Sequence, residues 1–171
     1  MWTARRILNE LADGDRRRKI LASFWRHAEP QARATAAVQL ARSMKFRDET
    51  IRKMTPDKKA DLLSSRIGLA EYEQYGEMAL MQYHTHHAGE MMGKLLDAWG
   101  ISHENGSIAD DEYKTPDVEA VRSAVANLGD TYERRDVLLY LASAGLLMGD
   151  EWRAAMWPVV DELSPTLETA S

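Results

Sequence analysis

The chain has 171 residues, of which 44% are hydrophobic and 29% are charged, and its formal net charge at neutral pH is −5. This length and composition are typical of a folded globular protein and exclude an intrinsically disordered chain. Because cysteine is absent, disulfides, thiolate metal ligands and cysteine nucleophiles are excluded, and a reducing, cytoplasmic location is expected.

The N-terminal third of the chain carries a series of helix signals. Residues 3–13 form the first predicted helix, because their apolar side chains recur at helical spacing. Gly14 is expected to end this helix, and Asp15 is expected to cap the second. Pro30 suits the first turn of an alanine-rich third helix, and Thr55 is expected to cap a further one.

Residues 69–99 form the longest segment with helical periodicity. A loop is predicted at 100–115, and the Asn105-Gly106 pair in its middle favours the tight turn of a small hairpin. Thr115 is then expected to cap the next helix.

The C-terminal part of the chain contains the most apolar segment. Residues 131–148 are apolar nearly all round, as expected of a helix at the centre of a bundle. The longest uncharged run, 137–149, is shorter than the roughly 20 residues of a membrane span, so no membrane anchor is expected. Pro158 is expected to kink or restart the last helix, and residues 164–171 are predicted to be a flexible tail.

These segments predict an all-α fold, a single-domain irregular bundle of about eight helices that covers residues 1–163. Charge is divided unevenly along it. Residues 1–67 hold 16 Lys and Arg against 8 Asp and Glu, whereas residues 68–171 hold 6 against 19. The domain is therefore predicted to combine a basic helical subregion at 1–67 with an acidic helical core at 68–163.

The basic subregion has two interpretations. Residues 1–67 could bind nucleic acid, since clustered Lys and Arg neutralise phosphates. Alternatively, the basic third folds against the acidic remainder of its own or a neighbouring chain. We favour the second interpretation, because the basic residues are spread over several helices and are not interleaved with aromatic residues. Nucleic-acid binding through this subregion is retained as an alternative function.

The stretch MQYHTHHAGE places three histidines within four positions. If residues 69–99 form one unbroken helix, His84 falls on its apolar stripe with Glu73 and Glu77, and His87 falls at the edge of that stripe. Buried carboxylates beside an imidazole are costly unless they are paired or ligated. These four residues are therefore the candidate binding site, and a metal-dependent or acid–base enzyme that uses them is a second alternative.

The spacing within this cluster does not match known metal sites. Di-iron bundles use Glu-x-x-His on each of two helices, and neither Glu77 with His84 nor His84 with His87 has that form. The chain also lacks a His-Glu-x-x-His motif, a phosphate-binding loop and a nucleophile elbow. We therefore predict no metal, no cofactor and no catalytic residue.

Gly89 and Gly93 form a small-residue seam on the opposite side of the predicted helix. Each glycine inside a helix costs about 1 kcal/mol relative to alanine, which makes sense where another backbone approaches closely. That backbone could belong to a partner subunit, so both glycines are candidate interface residues, although a poorly optimised solvent face explains them equally well.

The leading functional prediction is a non-catalytic interaction or regulatory protein that forms a homodimer. It rests on three observations: the lack of catalytic motifs, the glycine seam, and the division of charge between the two parts of the chain.

Overall fold

The structure is a computed structural model that describes residues 1–167, and its regular elements are helices apart from two short strands. Its helices are α1 (Ala4–Glu10), α2 (Gly14–His27), α3 (Pro30–Met44), α4 (Asp48–Arg52), α5 (Pro56–Ser64), α6 (Glu73–His87), α7 (Gly89–Ala98), α8 (Val118–Leu128), α9 (Arg134–Leu147) and α10 (Asp150–Leu163). The all-α class is confirmed. Ten α-helices are present where about eight were expected, in part because the segment 69–99 is divided.

Two short 3-10 turns and one strand pair complete the described chain. The turns are Ala70–Tyr72 and Ser164–Leu167, and the strands are β1 (His103–Glu104) and β2 (Ser107–Ile108). Residues 164–171 were predicted to be a flexible tail. The first four form the second 3-10 turn, and 168–171 lie outside the described residues.

Side-chain caps fix several helix starts. The Thr55 hydroxyl accepts a hydrogen bond from the backbone N–H of Lys58, which confirms the predicted cap of α5. The predicted cap of α2 was wrong by two residues. Asp13, not Asp15, accepts from the backbone N–H of Arg16, because its carboxylate stands three residues before that donor, at the spacing of an N-cap.

The start of α8 also differs from the prediction. Asp117 caps this helix by accepting from the backbone N–H of Ala120, so the helix begins after Pro116 instead of at it. Thr115, the predicted cap, instead donates its hydroxyl hydrogen to the carboxylate of Glu151 on α10. The Asp117 carboxylate stands at the N-cap position, three residues before the N–H that it binds. The Thr115 hydroxyl is therefore free to join the segment before α8 to α10.

The core is built around α9 and α2. Nine consecutive residues of α9, 137–145, are buried, which confirms the predicted central helix. Six consecutive residues of α2, 20–25, are buried as well, so the N-terminal helices do more than wrap around a C-terminal centre. The helix α9 packs most extensively against α10, α2 packs against α5 and α6, and α6 also contacts α9. One continuous set of buried apolar side chains runs from Trp2 to Val160.

The prediction of one unbroken helix at 69–99 was wrong. The helix α6 ends at His87, Ala88 leaves helical geometry with φ −119° and ψ 12°, and α7 begins at Gly89. Because of this break, residues of α6 and residues of α7 cannot be placed on one helical wheel. The buried face of α6 is consequently displaced from the expected stripe: Ala79 is fully buried, whereas Met81, which was expected to face inward, is 46% exposed.

A small hairpin follows α7, as the Asn-Gly pair predicted. β1 pairs antiparallel with β2, and the two turn residues, Asn105 and Gly106, have φ values of 50° and 84°. Positive φ at both positions is the geometry of a type I′ turn, which Asn-Gly adopts readily.

The last helix does not restart at its proline. Pro158 lies inside α10, which runs continuously from Asp150 to Leu163. None of the helices in residues 1–167 combines the length and the apolar character that crossing a bilayer requires.

We expect Gly145→Ala to destabilise the protein by about 2 kcal/mol, although alanine favours helix more than glycine. A β-carbon at this position of α9 would lie 2.6 Å from Cδ1 of Trp157, whose ring is held by a hydrogen bond from its Nε1 to the carbonyl of Ala142. Urea unfolding measures the change.

Gly14→Ala is the matched control, since nothing lies within 4 Å of a β-carbon added there. We expect this second variant to be neutral or slightly stabilising. A Gly145→Ala protein as stable as the Gly14→Ala protein would contradict the tight packing of α9 on α10.

Candidate functional site

His84 is the most unusual polar residue of the core. Its side chain lies on α6 and is only 5% exposed, and its Nε2 is 3.0 Å from the hydroxyl oxygen of Ser143 on α9. The Ser143 hydroxyl donates its own hydrogen to the backbone carbonyl of Leu139 at 2.7 Å. The serine oxygen must therefore accept from His84, which places the imidazole hydrogen on Nε2 and leaves Nδ1 as an acceptor.

Burial keeps this imidazole neutral. It lowers the pKa of His84 from 6.5 to about 3, because the surroundings cannot solvate an imidazolium ion. Two aromatic rings, those of Tyr83 and Tyr140, contact the imidazole edge-on at centroid distances of 5.5 and 5.4 Å. Nδ1 is buried and has no hydrogen-bond partner among the described residues.

The contact between His84 and Ser143 resembles half of a nucleophilic dyad, but its chemistry is unfavourable for catalysis. An activating histidine must accept the serine proton, and here the serine proton is committed to Leu139. No carboxylate among the described residues orients Nδ1, and an imidazole whose protonated form has a pKa of about 3 is too weak a base to take a hydroxyl proton at neutral pH. The arrangement is better suited to positioning α6 on α9 than to acid–base chemistry.

Two cavities meet at His84. The smaller one, about 170 Å³, is polar and lies where α6, α7 and α9 approach each other. Its lining includes Tyr83, His84, His87, Glu90, Tyr132 and Asp136. The larger one is an open groove of about 290 Å³ between α6, α9 and the hairpin, and its lining is mostly apolar. It is lined by Met81, His84, Thr85, Met92, Gly106, Ser107, Ile108, Tyr140, Ser143, Ala144, Leu147 and Met148. We call this second cavity the methionine groove.

The four residues predicted as one binding site do not come together. His84 and His87 line the polar cavity, but Glu73 and Glu77 line none of the cavities described for residues 1–167. At about 1.5 Å of rise per residue, Glu73 lies roughly 16 Å from His84 along α6. The helical wheel gives only the direction of each side chain around the helix axis, so it did not register this separation along the axis.

Glu73 has a structural role at the other end of α6. Its carboxylate accepts a hydrogen bond of 2.5 Å from the backbone N–H of Ala4, in the first turn of α1. That N–H has no partner within its own helix, and a negative charge is favourable at a helix N-terminus. Glu77 is half-buried, and both burial and the charge of Glu73 raise its pKa.

The remaining histidines of the cluster contact a third histidine, on α2. His86 stacks on His27 at the end of α2, with ring centroids 3.8 Å apart, and His87 lies edge-on to the same ring at 6.3 Å. Partial burial and the neighbouring imidazoles lower the pKa values of His27 and His87. No group of three or more His, Cys, Asp or Glu side chains within residues 1–167 is arranged to hold a metal ion.

Gly89 and Gly93 are covered by the chain's own hairpin. A β-carbon on Gly89 would lie 2.7 Å from the backbone oxygen of Asn105, and one on Gly93 would lie 2.8 Å from Cε1 of His103. The close approach inferred from the sequence is therefore present within the same molecule, by backbone at Gly89 and by an imidazole side chain at Gly93. An interface with a partner subunit at these glycines stays a prediction and would have to include the hairpin.

Six of the 16 Lys and Arg residues of the basic subregion form ion pairs among the described residues. Arg16 reaches the acidic part of the chain, where it pairs with Glu133 at 2.9 Å and with Asp136 at 2.8 Å. The ion pairs inside the subregion are Arg6–Glu10, Arg16–Asp13, Arg18–Asp61, Arg26–Asp57, Arg52–Asp48 and Lys53–Glu49. These local carboxylates weaken the field available to a nucleic acid.

Neither a family model, a curated protein nor a solved structure matches the chain. Its function is therefore inferred from its own geometry. Sequence reasoning identified His84 but missed its partner. Ser143 carried one available signal: with Tyr140, it supplies the only polar side-chain groups in the buried run 137–145. A polar group inside such a run needs a hydrogen-bond partner.

We expect His84 to make the protein sensitive to acid. The unfolded chain binds a proton below about pH 6.5, whereas the folded chain excludes it from His84 until about pH 3, so stability falls as pH decreases between these values. From pH 7 to pH 5 this one group should cost about 2 kcal/mol of unfolding free energy. Urea unfolding at both pH values measures the loss.

His84→Met supplies the control, because methionine fills the site without titrating and leaves the Ser143 hydrogen bond to Leu139 in place. The other four histidines are the same in both proteins, so the difference between the two pH dependences isolates His84. Parallel pH dependences would show that His84 is accessible to protons in the folded state.

Proposed function

We propose that this protein is a non-catalytic interaction protein that forms a homodimer through the methionine groove. The observation that carries the proposal is a concentration of exposed apolar side chains. Among the described residues, three of the seven large hydrophobic side chains that are exposed line this one groove: Met81, Leu147 and Met148, with exposed fractions of 46%, 39% and 37%. Single exposed apolar residues need no explanation, but a group around one concavity is typical of a contact surface.

The chemistry of the groove suits association better than catalysis. None of its lining side chains is charged at neutral pH, since His84 is the only one that would titrate near that range and burial keeps it neutral. Methionine is flexible and polarisable, so Met81, Met92 and Met148 can adapt to an opposing surface. Burying this surface gains about 25 cal/mol for each Å² of apolar area removed from water.

A second copy of the chain is the occupant that we propose. A two-fold contact uses the same patch on both partners, so the patch must complement itself. The groove offers both parts that such a contact needs: a concave apolar lining, and exposed Leu147 and Met148 side chains at its edge. The absence of charge in this lining means that two copies can meet there without like-charge repulsion, despite the net charge of −5.

The two alternative functions have less support. An acid–base or metal-dependent enzyme would need Glu73 and Glu77 near His84, and these carboxylates lie toward the opposite end of α6. Nucleic-acid binding through residues 1–67 would need free cations, and six of the 16 cations there are paired with carboxylates, which weakens the field on a phosphate backbone.

We expect light scattering coupled to size exclusion to give twice the chain mass of 19.4 kDa at concentrations of tens of micromolar. Met81→Glu should weaken the dimer at least about tenfold, because it introduces a charge into an apolar contact. Met148→Glu should do the same, and the two variants should remain folded, since both positions are exposed.

Leu69→Glu is the matched control. Leu69 is 45% exposed, almost the same as Met81, but it lies outside the groove. A monomeric wild-type protein at high concentration would contradict the homodimer. A dimer that resists both groove variants, or that Leu69→Glu weakens equally, would show that the interface lies elsewhere.

A further inference from the structure

A further cavity, separate from both the polar cavity and the methionine groove, is lined by cations. It is about 280 Å³ in volume and lies between α2, α3, α4 and α5. Its lining consists of Trp25, Pro30, Arg33, Ala34, Ala37, Arg52 and Lys59, with no carboxylate among them. It shares no lining residue with the methionine groove, so its function does not depend on the proposed dimer.

Two of its three cations lack a counterion. No carboxylate among the described residues lies within 4 Å of Arg33 or Lys59. Arg52 pairs with Asp48 at 3.3 Å, but that carboxylate lies on the exposed side of α4. The cavity therefore differs from the surroundings of Arg18, Arg26 and Lys53, each of which pairs with a neighbouring carboxylate.

Two residues of the lining also carry buried hydrogen-bond donors without an acceptor among the described residues. Arg33 uses Nη1 to bond the backbone carbonyl of Trp25, and its Nε is buried without a partner among the described residues. The Trp25 side chain is 4% exposed, and its indole N–H, which can only donate, also has no acceptor there. Each buried donor left unsatisfied costs about 1–3 kcal/mol.

Lys59 is held in the same unfavourable surroundings. Its ammonium lies 5.3 Å from the centre of the Trp25 ring, and both burial and the charge of Arg33 lower its pKa. Two cations in partial burial repel each other, and an anion between them would remove that repulsion.

We propose that this cavity binds an oxyanion of the phosphate class, held by Arg33, Lys59 and Arg52. Arginine matches the geometry of phosphate oxygens, and lysine adds a compact charge. A volume of about 280 Å³ corresponds to roughly nine water molecules at about 30 Å³ each, which is enough for a phosphate monoester or a diphosphate.

The adjoining surface has room for the rest of such a ligand. A larger open depression of about 820 Å³ shares Ala34 and Arg52 with the cavity and continues along α3. It adds Arg42 and the polar side chains of Gln31 and Thr35. A small phosphorylated molecule would place its phosphate in the cavity and its polar organic part in this depression.

The test is a titration with inorganic phosphate and with pyrophosphate, followed by NMR at constant ionic strength with chloride as the matched salt. We expect saturable shifts in the Lys59 side-chain signals and a rise in the Lys59 pKa, because a bound anion favours the charged ammonium. Lys59→Gln should weaken binding at least about tenfold, since a charged hydrogen bond is lost.

Lys58→Gln is the matched control, because Lys58 is the exposed neighbour of Lys59 and does not line the cavity. It removes the same charge and should leave binding unchanged. Arg33→Gln is a second test, and its unfolding curve shows whether the lost bond to Trp25 has damaged the fold. Lys59→Gln carries no such risk, since the Lys59 side chain makes no hydrogen bond to the described residues and the backbone bond from its N–H to Thr55 is kept.

A titration with a single-stranded and a duplex oligonucleotide separates the small ligand from a nucleic acid. Saturable binding of phosphate or pyrophosphate that Lys59→Gln abolishes and Lys58→Gln preserves supports the site. No saturable shift at tens of millimolar anion, equal loss in both lysine variants, or binding of oligonucleotide alone would each overturn it.

Discussion

The position of α6 between α2 and α9 is the constraint on which the rest of the structure depends. Tyr75 contacts Phe24 of α2 near the start of α6, and His84 contacts Ser143 of α9 near its end. A helix packed along its length in this way has room for small residues and for neutral polar ones that find partners. Gly76 meets the requirement of small size, since a β-carbon there would lie 2.9 Å from that of Ala4. His84 meets the requirement of neutrality through its lowered pKa.

The end of α6 at His87 produces the surface to which we assign function. The helix α7 starts afresh at Gly89, and its two glycines lie against the hairpin. The hairpin then becomes one wall of the methionine groove, opposite the end of α9. The glycines and the exposed methionines are therefore parts of one arrangement. The glycines allow the hairpin to lie close to α7, and the methionines line the groove between the hairpin and α9.

The excess of positive charge in residues 1–67 is offset by ion pairs at only part of its cations. Carboxylates one helical turn away or on a neighbouring helix pair with six of the 16, and among residues 1–167 only Arg16 of this subregion also pairs with carboxylates of the acidic part. The cavity around Arg33 and Lys59 gathers three cations in a lining that contains no carboxylate. Total charge describes the subregion as uniformly basic, whereas the structure concentrates these three cations around one cavity.

The sequence by itself determined the local features of this protein. The all-α class, the buried helix at 131–148, the cap at Thr55 and the turn at Asn105-Gly106 follow from propensities and hydrogen bonds that act within a few residues. Only the tertiary structure decided where the helix 69–99 divides and which distant groups meet. His84 and Ser143 are 59 residues apart, and a helical wheel gives directions around one axis, not the distances along it or the positions of other helices. That is why the wheel found the histidine but joined it to carboxylates that lie too far along α6.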